Sequence, residues 1–540
     1  MGLLEQWLSY PAAWDRILSI IGIEIHWLIL QYVLGLPLMV LVALLAYRRS
    51  GDARWERMAR TMTKALGLVF AVGAATGTAS EFGLVVVWPN LLEAAGRYIY
   101  YPLYLEIFAF LTEIVFIYLL VFGWSKLSVN AKIAVAFLAM FGAWFSGAMI
   151  TSVNSYMVAP TGIVAAYDPL TGWKYDQGYP KVLLVVPKDI VGALDVGKLQ
   201  SLGMEVVGDT GQGVAVLMPS KIVARLAAEA WGGVRVRDSV LKLVVKPEAL
   251  GAVGDLLVKD VVDKILVLTV QTVGYTTVTF QSPVYPGTLV HSIGAGVTVT
   301  AFTILGAYAL LLIKSRDEKS RDYYMLGLKF GVVASLVAIV LQGAVFGHVM
   351  GEEIAKYNPE KLAAMEGTSS SILSVSRMLG LEKLMPLIAY GSLEAKLPSY
   401  DAIPADYCTL LGVPGVSDCR PPLMIHYLYY AKIGLAVLLG LYALLLAFLL
   451  YRRASLPGWV LWAGALSPVA AQLVSFLGWA VREMGRKPWS IYGVMTVDVA
   501  HTMNPADPLA YVLVALLFLG TLAGLIYAAF KVLYEPSVKG

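Results

Sequence analysis

The sequence predicts an all-α polytopic membrane protein of about nine transmembrane helices, N-terminus outside and C-terminus cytoplasmic, carrying a small inserted α/β soluble domain. Three observations lead there. Of 540 residues, 58% are hydrophobic and 14% charged, whereas a soluble domain carries about 25% charged residues. The mean hydropathy is +0.71. Basic residues also gather in alternate connections between apolar stretches. The same composition excludes other classes. A formal charge of +4 is too small to imply a nucleic-acid partner. Two cysteines rule out a disulfide scaffold and a Cys-rich zinc or iron–sulfur site.

A membrane helix needs roughly 20 apolar residues. Stretches of that kind lie at 18–46, 65–87, 102–124, 131–153, 288–313, 325–347, 427–451, 458–481 and 509–530. The first is not read as a cleavable signal, because Glu5 and Asp15 flank it and no basic region precedes it. The connection after span 1 holds Arg48, Arg49, Arg54, Arg57, Arg60 and Lys64, and that after span 3 holds Lys126 and Lys132. Lys314, Arg316, Lys319 and Arg321 follow span 5, and Arg452 and Arg453 follow span 7. The positive-inside rule makes these four connections cytoplasmic.

The chain then divides into spans 1–4 (1–159), an outer insertion (160–287), spans 5–6 (288–347), an outer loop (348–426) and spans 7–9 (427–540). Within the insertion, Lys181–Pro187 and Gly213–Pro219 read as strands, Lys221–Ala230 as an amphipathic helix and Arg235–Val245 as further strand. It contains no His and no Cys, so nothing in it looks catalytic. The outer loop has a helical patch near Lys361–Glu366 and holds Cys408 and Cys419. Those two thiols either close a short disulfide loop on the oxidising side or are unrelated. No internal repeat is evident.

Ionisable residues inside spans are costly and point to function. Span 1 carries Glu24 and His26, and span 3 carries Glu106 and Glu113 seven residues apart, on one helix face. The two glutamates are either a proton path or a static pair with a raised pKa. His291, His348 and His426 sit near span ends, and His501 follows span 8. Such histidines ligate heme iron, hold another metal or satisfy a buried hydrogen bond. Gly294, Ala295 and Gly296 after His291 leave room for a flat macrocycle, and the lack of a C-x-x-C-H excludes covalent attachment.

Three strings resemble one family. Ala75–Trp88 reads ATGTASEFGLVVVW, Lys361–Gly367 reads KLAAMEG and Gly478–Trp489 reads GWAVREMGRKPW. In that order they resemble subunit I of the cytochrome bd-type oxygen reductases, over most of the chain except 165–283. The resemblance implies that His26, ten residues after Arg16, ligates iron at the dioxygen site. It implies that His291 is an axial ligand of a low-spin heme b. It places Lys361 and Glu366 in a quinol-oxidising loop and Asn154 at the end of span 4. Glu106 and Glu113 then lie on the proton route, and Arg486 and Trp489 beside the hemes.

The sequence also departs from that pattern. The position of the family's span-8 glutamate, a ligand of a second heme b, is Phe476, with Ser475 and Gln472 its nearest polar neighbours. The span-7 methionine ligand is missing from YYAKIG (Tyr429–Gly434), where Lys432 stands for an arginine. Met424 and His426 are the substitutes in that helix, and His426 opposite His291 would give bis-histidine ligation. Glu106 and Glu113 are one residue closer than in the pattern, and His348 replaces a tyrosine-like residue near the start of the loop.

The expected protein is thus a heme-containing subunit of a quinol oxidase in the plasma membrane of a prokaryote. It would oxidise quinol at the outer surface and reduce dioxygen to water with cytoplasmic protons. Its cofactors would be one or two hemes b and heme d or another heme at the oxygen site. Its partner would be a second membrane subunit, either subunit II or a paralogue of subunit I. The alternatives are a partly heme-depleted paralogue that supports a complete oxidase, and a non-redox transporter.

Overall fold

In this computed structural model, residues 13–159, short segments between 167 and 272, 282–315, 317–403, 420–492, 495–500, 508–529 and Lys531 are described. The first four long helices are α1 (Ala13–Ser50), α2 (Ala53–Val87), α3 (Pro89–Gly123) and α4 (Val129–Val158). Local chemistry sets their ends. Pro89 opens α3, where its missing N–H costs nothing. Ser128 caps α4 by accepting a hydrogen bond from the Ala131 N–H at 3.3 Å.

The insertion follows. A two-stranded ribbon, β1 (Tyr167–Asp168) and β2 (Gly172–Trp173), precedes β3 (Lys181–Pro187), β4 (Glu205–Asp209), β5 (Gly213–Pro219), β6 (Arg235–Arg237), β7 (Val240–Val245) and β8 (Leu266–Thr272). The last six form one antiparallel sheet in the order β4-β5-β3-β8-β7-β6. The strands expected at Lys181–Pro187 and Gly213–Pro219 appear with those bounds, while the third stretch breaks into β6 and β7. The helix expected at Lys221–Ala230 and the pair Cys408/Cys419 lie outside the described residues.

The chain returns in α5 (Tyr285–Lys314) and α6 (Glu318–Val340). A π-helical turn, Leu341–Phe346, joins α6 without a break to α7 (Gly347–Tyr357). Span 6 therefore continues to Tyr357, past the expected loop start at residue 348. Short helices α8 (Pro359–Glu366), α9 (Val375–Met378) and α10 (Met385–Tyr390) build the loop. After it come α11 (Met424–Tyr451), α12 (Gly458–Met484), the ribbon β9 (Trp489–Ile491) and β10 (Met495–Thr496), α13 (Val497–Ala500) and α14 (Pro508–Ala529).

Among the described residues nine helices are long and apolar enough to cross a membrane. Spans α1 and α5 form the centre. Their apolar windows are 61% buried, against 6% for α14, and α1 packs on α2, α4, α5 and α14. At the end bearing the basic connections, Arg54 bonds Asp52 at 2.7 Å and Asp322 at 2.5 Å, with both partners of the latter pair exposed. Nearby, Lys132 pairs with Glu56 at 2.6 Å.

Candidate functional site

At the opposite end of the bundle, every residue of α8 is buried, an unusual state for a helix of sequence PEKLAAME. Its polar groups are held one by one. The Tyr492 hydroxyl donates to Glu360 at 2.8 Å. The Tyr430 hydroxyl donates to the Glu366 carboxylate at 2.7 Å. Lys361 Nζ reaches the Arg482 carbonyl at 3.5 Å. Burial drives the Glu366 carboxyl up to about 7, although the Tyr430 bond opposes it. Burial, reinforced by the Arg482 and Arg486 guanidinium groups, drives the Lys361 amine down to about 7.

His426, at the start of α11, fastens this helix. Its Nε2 accepts the Val375 N–H at 2.8 Å, and its Nδ1 donates to the Met365 carbonyl at 2.8 Å. Gly367, at φ +63°, ends α8 with its α-carbon against the ring; a Cβ there would lie 2.8 Å from the imidazole. Both ring nitrogens are thus taken by the loop backbone and no lone pair remains for iron. The bis-histidine pairing with His291 expected from the sequence is not what this fold builds. The other substitute, Met424, is 61% exposed at the first position of α11. His348 is exposed beside Glu352 at 3.3 Å, and His501 lies outside the described residues.

A charge network joins α8 to three spans. Arg482 donates from Nε to the Asn154 side-chain oxygen and from its two terminal nitrogens to Thr288 Oγ1, each at 3.3 Å. The Asn154 amide donates to Glu483 at 3.2 Å, and Arg486 donates to the other Glu483 oxygen at 2.6 Å. Spans α4, α5 and α12 are tied together by one amide, one hydroxyl and three charges. Arg482 and Glu483 lie within the GWAVREMGRKPW string, where two charges at a span end are the sequence signal for such residues. Arg486 keeps two buried N–H groups, on Nε and Nη1, without a partner. They belong to a cleft lined also by Lys361, Asn358, Trp489 and Tyr492.

His26 sits against the Thr76–Gly77 pair of the ATGTASEF string. Thr76 Oγ1 gives its proton to the carbonyls of Val72 and Gly73, at 3.0 and 3.1 Å. It therefore accepts from His26 Nδ1 at 3.1 Å, which leaves the Nε2 lone pair open for a metal. A Cβ on Gly77 would lie 2.8 Å from the ring, so this seat requires glycine. His291 is held differently. The Gln342 amide nitrogen lies 3.2 Å from Nδ1 and donates to the His291 carbonyl at 3.0 Å. Gln342 belongs to the π-helical turn, a feature that often marks functional sites.

Heme is the group that this arrangement fits. His26 offers an oriented, neutral imidazole, and His291 is fixed by one amide. The unpaired Arg486 donors suit an anionic side group. Phe476 is 39% exposed on α12, and its polar neighbours are already engaged. Ser475 accepts from the Trp27 indole at 3.0 Å. Gln472 accepts from Gln31 at 3.1 Å and donates to Tyr32 at 3.0 Å. Neither replaces a ligating carboxylate.

Glu106 and Glu113 both face α4. Ser146 donates to Glu106 at 2.7 Å, while Glu113 is buried against Gly142 with one oxygen unpartnered. Glu81, the acid of the ATGTASEF string, is a third carboxylate within electrostatic reach of Glu106.

The profile of the cytochrome bd terminal oxidase subunit I family matches residues 14–176 and 264–539. The chain belongs to this family. As a terminal oxidase subunit I it is a multi-pass membrane oxidoreductase. It is 23% identical over 495 residues to a putative cytochrome bd menaquinol oxidase subunit I of Bacillus subtilis, covering 87% of this chain and 84% of that protein. It is 32% identical over 146 residues to the cytochrome bd-II ubiquinol oxidase subunit 1 of Escherichia coli, 27% of this chain and 28% of that one. The bd oxidase structure from Geobacillus thermodenitrificans superposes with a TM-score of 0.66 at 20% identity, over 96% of this chain and 98% of that chain. That likeness establishes a shared fold. The family match skips 177–263, the stretch that holds β3 to β7.

Proposed function

We propose that this subunit I oxidises quinol at Lys361 and Glu366 and, with a second membrane subunit, reduces dioxygen to water. The observation that carries this reading is that Arg482 links the two elements: its carbonyl lies 3.5 Å from Lys361 Nζ, and its guanidinium bonds Thr288, one turn before His291 on α5, at 3.3 Å. This contact supports a proton-handling loop beside an electron-accepting histidine. Named relatives act on menaquinol and ubiquinol, and two quinols per dioxygen balance the four electrons and four protons of water formation.

His26 and His291 would each hold a heme, of b type at His291 and d or another type at His26, and these groups would supply the one-electron chemistry and the dioxygen-binding iron. This chain's residues do the rest. The Glu366 carboxylate takes a proton from the quinol hydroxyl, and protonated Lys361 stabilises the quinol oxygen as charge develops on it. The Asn154–Arg482–Glu483–Arg486 network fixes the wall between loop and spans. Glu113 and Glu106 carry protons inward from the cytoplasmic face, which the positive-inside rule assigns to the end with the basic connections. With quinol protons leaving outside in a plasma membrane, the reaction separates charge. The heme-depleted helper reading is not favoured, since the family match runs over most of the chain and His26 and His291 both have bonded, oriented rings.

A reduced-minus-oxidised spectrum with pyridine hemochrome quantitation, run beside quinol-dependent oxygen uptake, tests this function. At least two hemes per chain and sustained uptake are expected. One heme or none on this chain overturns the proposal.

A further inference from the structure

We propose that the loop segment Leu373–Leu393 is seated in the bilayer surface, its apolar side chains against lipid acyl chains. Leu373, Met378, Leu379, Leu387, Ile388 and Leu393 are each between 40% and 70% exposed. This is an apolar surface outside the spans, where a water-facing loop would be polar. Met378 lies in α9 and Leu387 and Ile388 in α10, and the other three flank these short helices.

The occupant follows from continuity. Val337, Leu341, Val345 and Val349 recur every four residues along α6, the π-helical turn and α7, and all are exposed, so they form one lipid-facing stripe up span 6. Helix α10 packs on α7, so Leu387 and Ile388 prolong that stripe sideways at the span's end. The charges suit the headgroup level. Arg377 and Glu382 pair at 3.4 Å, and Lys383 is exposed. The segment thus has one neutralised pair and one spare cation for lipid phosphates, the pattern of an interfacial helix.

The segment is also bound to the candidate quinol helix. Ser374 and Ser376 donate to the Glu366 carbonyl at 3.3 and 3.0 Å. The segment thus touches the proposed lipid contact with one face and Glu366 with the other. The lipid contact itself does not depend on the quinol reading.

Nitroxide labels at Leu379→Cys and, independently, Leu393→Cys in the assembled oxidase test the proposal. The complex is placed in phosphatidylcholine–phosphatidylglycerol nanodiscs, and the labelled parent protein supplies the background from Cys408 and Cys419. Collision with molecular oxygen is expected to exceed collision with a water-soluble nickel chelate several-fold at both positions. Nickel access equal to or above oxygen access places the segment in water and overturns the proposal. Exclusion of both reagents means that protein covers the patch, and overturns it equally.

Discussion

Glu366 and Lys361 are both brought to about 7 by burial, yet their effects on turnover have opposite sign. Glu366 accepts a proton only as the carboxylate, so its contribution rises as pH increases through 7. Lys361 acts only as the ammonium, so its contribution falls over the same interval. We expect a narrow bell in the pH profile of kcat/KM for quinol, centred near neutrality. Glu366→Gln should remove the rising limb and lower kcat/KM by roughly 10²–10⁴-fold while leaving the heme spectrum unchanged. A rising limb that persists in the variant would assign it to another group. His426 makes a second residue-scale prediction. His426→Ala leaves the Val375 N–H and the Met365 carbonyl unsatisfied, at about 1–3 kcal/mol each. The expected result is a raised KM for quinol and a lower Tm with unchanged heme content; loss of a heme signal would instead make His426 a ligand. The sequence shows a histidine at a span end but cannot show this role, because both of its partners lie more than 50 residues away on a folded loop.

At the scale of elements, the nine spans were legible because each meets the length and apolarity that a bilayer demands. The π-helical turn at Leu341–Phe346 was not, since LQGAVF carries no proline or other marker of a changed hydrogen-bond pitch. It is visible only as geometry, and it brings Gln342 onto His291. Gln342→Leu should alter the absorption band of the heme proposed at His291 and weaken its retention by roughly 10–100-fold, the usual cost of losing an orienting partner. An unchanged band and full retention would make Gln342 a packing residue. Helix α2 gives a complementary test. Gly77→Ala drives a methyl into the His26 ring, whereas the His291 seat is untouched. Difference spectra should therefore show loss of the heme proposed at His26 with the signal of the heme proposed at His291 retained. The ATGTASEF string was readable as a family mark, but the reason for its Thr and Gly, the seating of one imidazole, needed α1 and α2 side by side.

For the whole molecule, β3 and β8, the first and last strands of the sheet, are neighbours, with Val182 opposite Thr272, so the sheet begins and ends side by side. Replacing 181–272 by a short flexible linker should therefore leave nine spans, heme content and quinol oxidation in place. Quinol oxidation lost with hemes retained would mean that the sheet caps the loop. Its strands were readable as apolar runs between turn residues, but their order was not, because pairing across the sheet leaves no local trace.

The two ends of the bundle also differ in how they meet dissolved ions. Around Asn154 the charges are enclosed and bonded to one another, out of reach of a counterion atmosphere that extends about 10 Å at 0.1 M salt. At the basic end, Arg54 and Asp322 face water and are screened. Rising ionic strength should thus loosen the join between α2 and α6 while the join between α4, α5 and α12 holds. The molecule is anchored at the end that holds α8 and compliant at the end that bears the basic connections.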